Sequence, residues 1–317
     1  MNINFRHLEI LVVVVEEKSM TKAAKILHMS QPAVSQTIIE IEKQLNTRLF
    51  DRLNKKLILT YTGEVFYSYA QKILGLIDIA ESSIKDITNV HTGKIKIGAS
   101  TTYGIYLLPK IIAEFQKQYK HIELEFTIDN THIIEDLILN HKIDIGIVEG
   151  LNYSADIKSK KLFDDNLSLI CSIDHDWVKE GKFEVGSSDL ATQTLILREK
   201  GSGTRQVIDD VINFHQLSYK TIYSLSNLEA IKKAVESNIG VSFLTHISVE
   251  EEIKSEKLVP IKIKDIEFNR EFSVIYHKDK YKSLLFDKFI KHLEVYHYKR
   301  HLPLKYCQSD VRTLVEE

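Results

Sequence analysis

At 317 residues the chain can hold two or three domains, each large enough for its own core. Its 44% hydrophobic and 27% charged residues are those of a globular protein, which excludes a disordered or fibrous chain. The net charge of −2 gives no chain-wide attraction for polyanions, so any nucleic-acid contact must be local.

Residues 1–61 supply such a locality. They carry nine basic side chains against six acidic ones, with the excess concentrated in 48–56. The first helix is expected over residues 5–17, with Leu8, Leu11, Val12 and Val15 at core spacing and a break at Ser19. A second short helix over 21–27 contains Ala23 and Ala24, small enough to let another helix approach. His28 and Met29 make the turn. Ser30 then suits an N-cap and Pro32 suits the first turn of a third helix that runs to about Leu45. Its buried stripe is Val34, Ile38, Ile41 and Leu45, which leaves Gln31, Ser35 and Gln36 on the opposite face, near its N-terminus. That is the layout of a recognition helix, whose first polar residues reach base edges in the major groove. The candidate DNA-binding residues here are Ser30, Gln31, Pro32, Ser35 and Gln36. A turn at Asn54 followed by alternation over 57–60 reads as a β wing. Arg48, Arg52, Lys55 and Lys56 on this stretch are expected to touch phosphates, giving affinity and position but little sequence reading.

A long helix of roughly 27 residues is expected over 62–89. Phe66, Tyr69, Ile73, Leu76, Ala80, Ser83 and Ile87 step alternately by three and four, a heptad seam with Ser83 its polar member, widened by Ile77 and Ile84. Such a helix cannot bury its stripe alone, so a helix–helix dimer interface is expected. Thr92 and Gly93 break it.

Strand-like runs at 94–99, 123–128, 144–148, 167–171, 194–197, 221–225, 240–244 and 272–276 alternate with helical runs at 106–119, 133–139, 204–214, 228–237 and 284–295. We read two α/β lobes with mostly parallel sheets and a cleft between them. Ligands in such folds sit at strand carboxyl ends and helix N-termini. One lobe then offers Ser100, Thr101, Thr102, Asn130 and Thr131, with another strand ending at Glu149 and Gly150. The other offers Arg198, the turn Gly201-Ser202-Gly203-Thr204, and Asn227. The turn's glycines free backbone N–H groups and its hydroxyls complete an anion's shell, so a small anionic metabolite is expected. Ser100, Thr101 and Thr102 would hold it on one side and Ser202, Gly203 and Thr204 on the other. Arg198 would assist, and Asn130, Thr131 and Asn227 would read the rest.

The sequence resembles the LysR-type transcriptional regulators of bacteria. The resemblance rests on Arg6, Leu8, Ser19, Ala23, Ala24, Leu27, Ser30-Gln31-Pro32-Ala33, Ser35, Ile38, Glu42, Leu49-Phe50, Arg52, Leu59-Thr60 and Gly63. Departures are Leu11 where Phe is frequent, Lys55 for Arg, and Thr62 for Ala; each keeps packing or charge. The resemblance extends to about Val295. It implies a winged helix-turn-helix domain over 1–61 and a linker and dimerisation helix over 62–92. It also implies a two-lobed, periplasmic-binding-protein-like α/β effector domain over 93–297. Lobe I would take 93–162 and 266–297, lobe II 163–265, with a tail over 298–317. The partners implied are double-stranded DNA, the small anionic effector, further copies of the chain as a dimer or dimer of dimers, and RNA polymerase. The Gly-Ser-Gly-Thr turn also resembles, more loosely, the version in family members linked to sulfur metabolism and carbon fixation.

Competing chemistries find no support in the sequence. It has no H-E-x-x-H, no Cys/His metal spacing and no G-x-S-x-G, so no catalytic residue, metal or cofactor is assigned. His297 and His301 read as a surface pair. Cys171, in an apolar run, reads as core and Cys307 as exposed, both reduced. The longest early apolar run, 10–15, is too short to span a bilayer and no basic segment leads into it, so a cytoplasmic protein without a membrane partner is expected.

Overall fold

A computed structural model describes residues 3–53, 56–88, 93–150 and 154–301, without the side chains of residues 52, 53, 56, 79, 81–88 and 299–301. Asn54, Lys55, Thr92 and Cys307 therefore lie outside the described residues. The chain divides into a unit of Met1–Thr88 with Leu139–Lys142 and a unit of Asn89–Ile138 with Ile143–Glu317.

In the first unit, α1 (Phe5–Glu17), α2 (Met20–Ile26) and α3 (Gln31–Leu45) are each set off by a side-chain cap. Asn4 accepts the His7 N–H at 3.1 Å, Ser19 the Lys22 N–H at 3.3 Å and Ser30 the Ala33 N–H at 3.3 Å. Lys18 ends α1 in the left-handed region at φ 50°. Leu8, Leu11 and Val12 are buried, but so are Ile10 and Val14, while Val15 is only half-buried. The cause is that α1 is covered on two sides, by α2 and α3 and by α4 (Tyr61–Thr88), so its apolar run is buried almost all round. Ala23 and Ala24 sit in the core with Val34, Ile38 and Ile41, whereas Leu45 is half-buried. β1 (Phe50–Leu53) and β2 (Lys56–Leu59) pair antiparallel, Phe50 opposite Leu59 and Leu53 opposite Lys56. The Glu42 carboxylate anchors this hairpin to α3 by accepting the Leu49 and Phe50 N–H groups at 2.8 and 3.2 Å. α4 starts at Tyr61, and a Cβ on Gly63 would stand 2.1 Å from the Leu49 carbonyl oxygen, so only glycine fits that first turn. Of the expected heptad seam, Phe66 turns into this unit's core, whereas Tyr69, Ile73 and Leu76 are exposed.

In the second unit, the first lobe contains β3 (Gly93–Ser100), α5 (Thr101–Tyr106), α6 (Leu108–Gln118), β4 (Ile122–Asp129), α7 (Thr131–Leu139) and β5 (Ile145–Glu149). β6 (Ile157–Ser172) then runs into the second lobe. That lobe holds α8 (Asp176–Lys179), β7 (Glu184–Val185), α9 (Ser187–Leu190), β8 (Thr194–Arg198) and α10 (Gly203–Phe214). It continues with β9 (Thr221–Leu225), α11 (Leu228–Glu236), β10 (Ser242–Thr245), α12 (His246–Lys254) and β11 (Leu258–Ile263). β12 (Phe268–His277) returns to the first lobe, which α13 (Leu284–His301) completes. The main sheet runs β4-β3-β5-β12-β6-β11-β7, with β10 also on β6. Each lobe has its own core. Ile97, Ile111, Phe115, Phe272 and Phe289 build one, and Leu169, Ile208, Phe243 and Phe268 the other, with Ile170, Ile231 and Leu244 on the opposite face of the second-lobe sheet.

Parallel pairing, as expected of strand–helix alternation, joins β3 to β4 and β5 and β8 to β9; the short β7 also pairs parallel with β11, and neither of those two strands belongs to the expected runs. The centre is different. β6, β10, β11 and β12 pair antiparallel, because the chain crosses between lobes along β6 and back along β12. The polar first half of β6, the strand β11 and the helix α12 carry no clean period and were not expected. α13 continues past Val295 to His301, and His297 is no surface residue. It is buried, with Nε2 2.7 Å from the Tyr103 hydroxyl and its ring stacked on Phe163.

Candidate DNA interface and effector cleft

On α3, Gln31, Pro32 and Gln36 are exposed and Ser35 is half-buried, beside the buried stripe of Val34, Ile38 and Ile41. Ser30 is used as the helix cap, and Gln36 Nε2 donates to Glu40 at 3.1 Å. Arg48 is exposed, and its carbonyl accepts the Thr60 and Thr62 hydroxyls at 2.7 and 2.8 Å, which fixes the chain entering the hairpin. Arg52 and Lys56 lie on the facing strands β1 and β2. The N-terminus of α3 and the hairpin whose strands carry Arg52 and Lys56 thus belong to one folded unit.

In the second unit the strand ends meet at the junction of the lobes. Thr101 Oγ1 accepts from Arg198 Nη2 at 3.2 Å, and Asn130 Nδ2 donates to Glu199 Oε1 at 3.4 Å. The His132 N–H donates to the Gly201 carbonyl at 3.1 Å, and Thr131 Oγ1 accepts the Gly203 N–H at 3.3 Å. A Cβ on Gly203 would stand 2.1 Å from the Glu149 carbonyl oxygen, so this glycine permits the close approach of the lobes. Arg198 is buried and held bidentate by Glu199 at 2.8 and 3.0 Å. Burial works against the Glu199 carboxylate, yet the hydrogen bonds from Arg198 and Asn130 hold it below the ordinary carboxylate range. Ser100 and Thr102 are buried, and the Ser100 hydroxyl has no hydrogen-bond partner among the described residues. Ser202 caps α10 by accepting the Arg205 N–H at 3.4 Å. Asn227 spends its carbonyl oxygen on the Ala230 N–H, capping α11, and the geometry does not join it to the other candidates.

The centre of the junction is a buried ionic network. Thr204 Oγ1 donates to Glu149 Oε1 at 2.9 Å and accepts from Arg270 Nη1 at 2.7 Å, with Nη1 also 3.6 Å from Glu149 Oε1. Arg270 pairs on its other side with its cross-strand neighbour Asp165 at 2.7 Å, which in turn accepts from Thr245 at 2.9 Å. A cavity of about 590 Å³ adjoins the first turn of α10, lined by Thr131, Glu135, Glu149, Lys200, Ser202 and Arg205 among others. Burial raises the Glu135 carboxyl above its ordinary range. A second tie between lobes lies at Tyr106, whose hydroxyl donates to Glu229 at 2.9 Å. Buried Lys232 joins it, 2.8 Å from both Glu229 and Glu252. Burial would lower this ammonium, but its hydrogen bonds to Glu229 and Glu252 hold it above the ordinary lysine range.

Arg270, Asp165 and Lys232 escaped the sequence reading, and Glu149 entered it only as a strand end. A signal existed for Arg270: it alternates with Phe268 and Phe272, both core residues, which places it on an inward face, and its guanidinium lies 4.8 Å from the Phe272 ring. Among the described residues no His, Cys, Asp or Glu cluster could hold a metal, and no helix is long and apolar enough to cross a membrane.

A winged helix-turn-helix followed by a long helix and a two-lobed α/β unit defines a DNA-binding regulator with an effector-binding domain. Residues 5–64 match the bacterial regulatory helix-turn-helix protein family of the lysR kind, and residues 88–296 match the LysR substrate binding domain. The chain is 34% identical over 295 residues to a probable RuBisCO transcriptional regulator of Phaeodactylum tricornutum, covering 91% of this chain and 95% of that one. Its fold is that of a full-length OxyR variant from Pseudomonas aeruginosa (TM-score 0.68, 23% identity, 94% of this chain and 95% of the other). The regulatory domain of CcmR from Synechocystis, solved in complex with 2-PG, is also similar (TM-score 0.60, 25% identity, 64% of this chain and 97% of the other). The chain belongs to the LysR-type transcriptional regulator family, whose members are DNA-binding proteins and not enzymes.

Proposed function

We propose that this regulator binds an interrupted palindrome as a symmetric dimer and that a small anionic metabolite, held between the two lobes, modulates the binding. Gln31, Ser35 and Gln36 read base edges from α3, with Ser30 and Pro32 setting its first turn, while Arg48, Arg52, Lys55 and Lys56 grip phosphates. The exposed Tyr69, Ile73 and Leu76 stripe of α4 pairs with the same stripe of a second copy, and two such dimers can combine.

One observation carries the anionic reading. The N-terminus of α10 already receives a carboxylate, that of Glu149, through Thr204 with Arg270 alongside. A helix N-terminus, a hydroxyl and a guanidinium make a stable seat for negative charge where little water competes. Thr101, Thr102, Ser100 and Arg198 line the same strand ends and complete the ligand's shell, with Asn130 and Thr131 at its edge. A ligand touching both lobes shifts their balance by its differential affinity for open and closed forms. The like-folded Synechocystis domain with its bound 2-PG supports a small-molecule occupant.

The test has two arms. DNA selected by the protein from a random pool is compared in gel shifts with Gln31→Ala and Ser35→Ala, each expected to cost about 1–3 kcal/mol per lost base contact and to relax the preference at that position. Unchanged preference in both variants removes these residues from recognition. A panel of small organic acids is then screened by thermal shift, where a ligand at ~100 times its Kd adds roughly 2.7 kcal/mol of stability. Thr204→Val should abolish that gain and leave DNA binding intact; a full gain in the variant would place the effector elsewhere.

A further inference from the structure

Glu149 does something a plain anion site does not need. It closes β5 in the first lobe, is 2% exposed, and delivers its carboxylate to Thr204 in the first turn of α10 in the second lobe. Oε1 is satisfied there, while Oε2 is buried without a hydrogen-bond partner among the described residues. The charge balance is equally particular. Arg270 has two carboxylates within reach, Asp165 at 2.7 Å and Glu149 at 3.6 Å, and the shorter pairing is with Asp165. Glu149 is therefore the loosely held member of the network, kept in place chiefly by one hydroxyl. A second anion at Thr204 would meet the charge of Glu149 at short range, where the surroundings screen it poorly. The two cannot share the seat. The molecule does provide somewhere for Glu149 to go, since its residue also lines the 590 Å³ cavity beside α10.

We propose that the Glu149 carboxylate is a tethered ligand of the α10 N-terminus, which the effector's anionic group must displace. Glu149 thereby sets which anions are admitted. This rests on the anionic-effector reading above and adds a competitor to it. A weakly held anion such as sulfate or chloride does not repay the loss of the Glu149–Thr204 bond and is turned away. An occupant that also engages the hydroxyls and Arg198 around the strand ends displaces the carboxylate, which then becomes hydrated in the adjoining cavity. The cleft is thus occupied by the chain's own charge until the correct ligand arrives, and the ties at Thr131–Gly203 and Glu149–Thr204 exchange one internal partner for an external one.

The experiment needs no knowledge of the effector. Inorganic sulfate is titrated by calorimetry into the full-length protein, into Glu149→Gln and into Glu149→Ala, at matched ionic strength with chloride as reference. Circular dichroism establishes that each variant is folded, and the isosteric Gln variant serves if the Ala variant is not. Sulfate is expected to bind the neutral variants at least tenfold more tightly than the unaltered chain, and adding Thr204→Val to either should remove that gain. Equal sulfate affinity with and without Glu149, still lost on Thr204→Val, overturns the tethered ligand but leaves the anion seat standing. Sulfate binding by none of the proteins overturns both.

Discussion

Single atoms decide the close approaches in both units. Gly63 faces the Leu49 carbonyl oxygen at a distance that no Cβ tolerates, and the neighbour is backbone that cannot rotate away. Gly63→Ala is expected to destabilise the first unit by about 1–3 kcal/mol, because α4 must shift off the hairpin; urea denaturation of the variant measures it, and a loss below roughly 0.5 kcal/mol, the surface-substitution range, would mean that the turn relaxes freely. The same scale shows where sequence reading runs out. Ser30 and Pro32 were legible because a cap and a first-turn proline act within one turn of chain, whereas Ser19, read only as a break, is the cap of α2. Glu42 anchoring Leu49 and Phe50, or Arg270 meeting Thr204, depends on partners that folding alone brings together.

At the scale of elements, local periodicity was sufficient for α1, α3 and α4 and for β3, β4, β5, β8 and β9, whose runs are bounded by helices. It failed for β6, whose first half is exposed along Lys158–Lys161 and so has no apolar face to announce a strand. α4 has the reverse problem: the sequence marks its seam, and beyond Phe66 the exposure of Tyr69 at 61%, Ile73 at 40% and Leu76 at 51% says that no described residue covers that stretch of it. If a second copy covers that stripe, Leu76→Asp buries an unpaired carboxylate there and the assembly should loosen by several kcal/mol. Light scattering on the variant is expected to show smaller particles, with DNA affinity falling in step. A variant that keeps its full size assigns the interface to another surface.

Across the whole molecule, two ties at the lobe junction differ in kind. The Thr204–Glu149–Arg270 network is buried, while the Tyr106–Glu229 bond sits nearer the rim. Burial, then the hydrogen bond to Glu229, pushes the Tyr106 hydroxyl up from 10 to about 12. The protonated phenol is the form the fold favours, so its contribution is complete below pH 10 and is lost as pH rises from 10 through about 12. With screening at the half-exposed Glu229 that contribution is on the order of 1–2 kcal/mol. The unaltered chain should therefore lose more stability between pH 10 and pH 12 than Tyr106→Phe does, and parallel stability curves would show that the tie carries no weight. Cys171 behaves differently: burial pushes its thiol up to about 12, which keeps it protonated and inert at neutral pH, so nothing in the described part of this chain offers a reactive sulfur.

The chain passes between the lobes twice, along β6 and back along β12, and those two strands are hydrogen-bonded neighbours from Phe268–Leu167 to His277–Ile157, with an irregularity between Phe272 and Ser273. Two independent linkers would let the lobes slide, tilt and twist separately. A pair zipped into one ladder resists shear and stretch strongly and bends most readily about its own line, so the lobes are left with essentially one mechanical degree of freedom. Arg270 and Asp165 lie directly opposite each other on that ladder, and the anion seat proposed above uses the same arginine. Whatever occupies the seat therefore acts at the fulcrum itself, where a displacement of one ångström becomes a larger excursion at the far edge of each lobe.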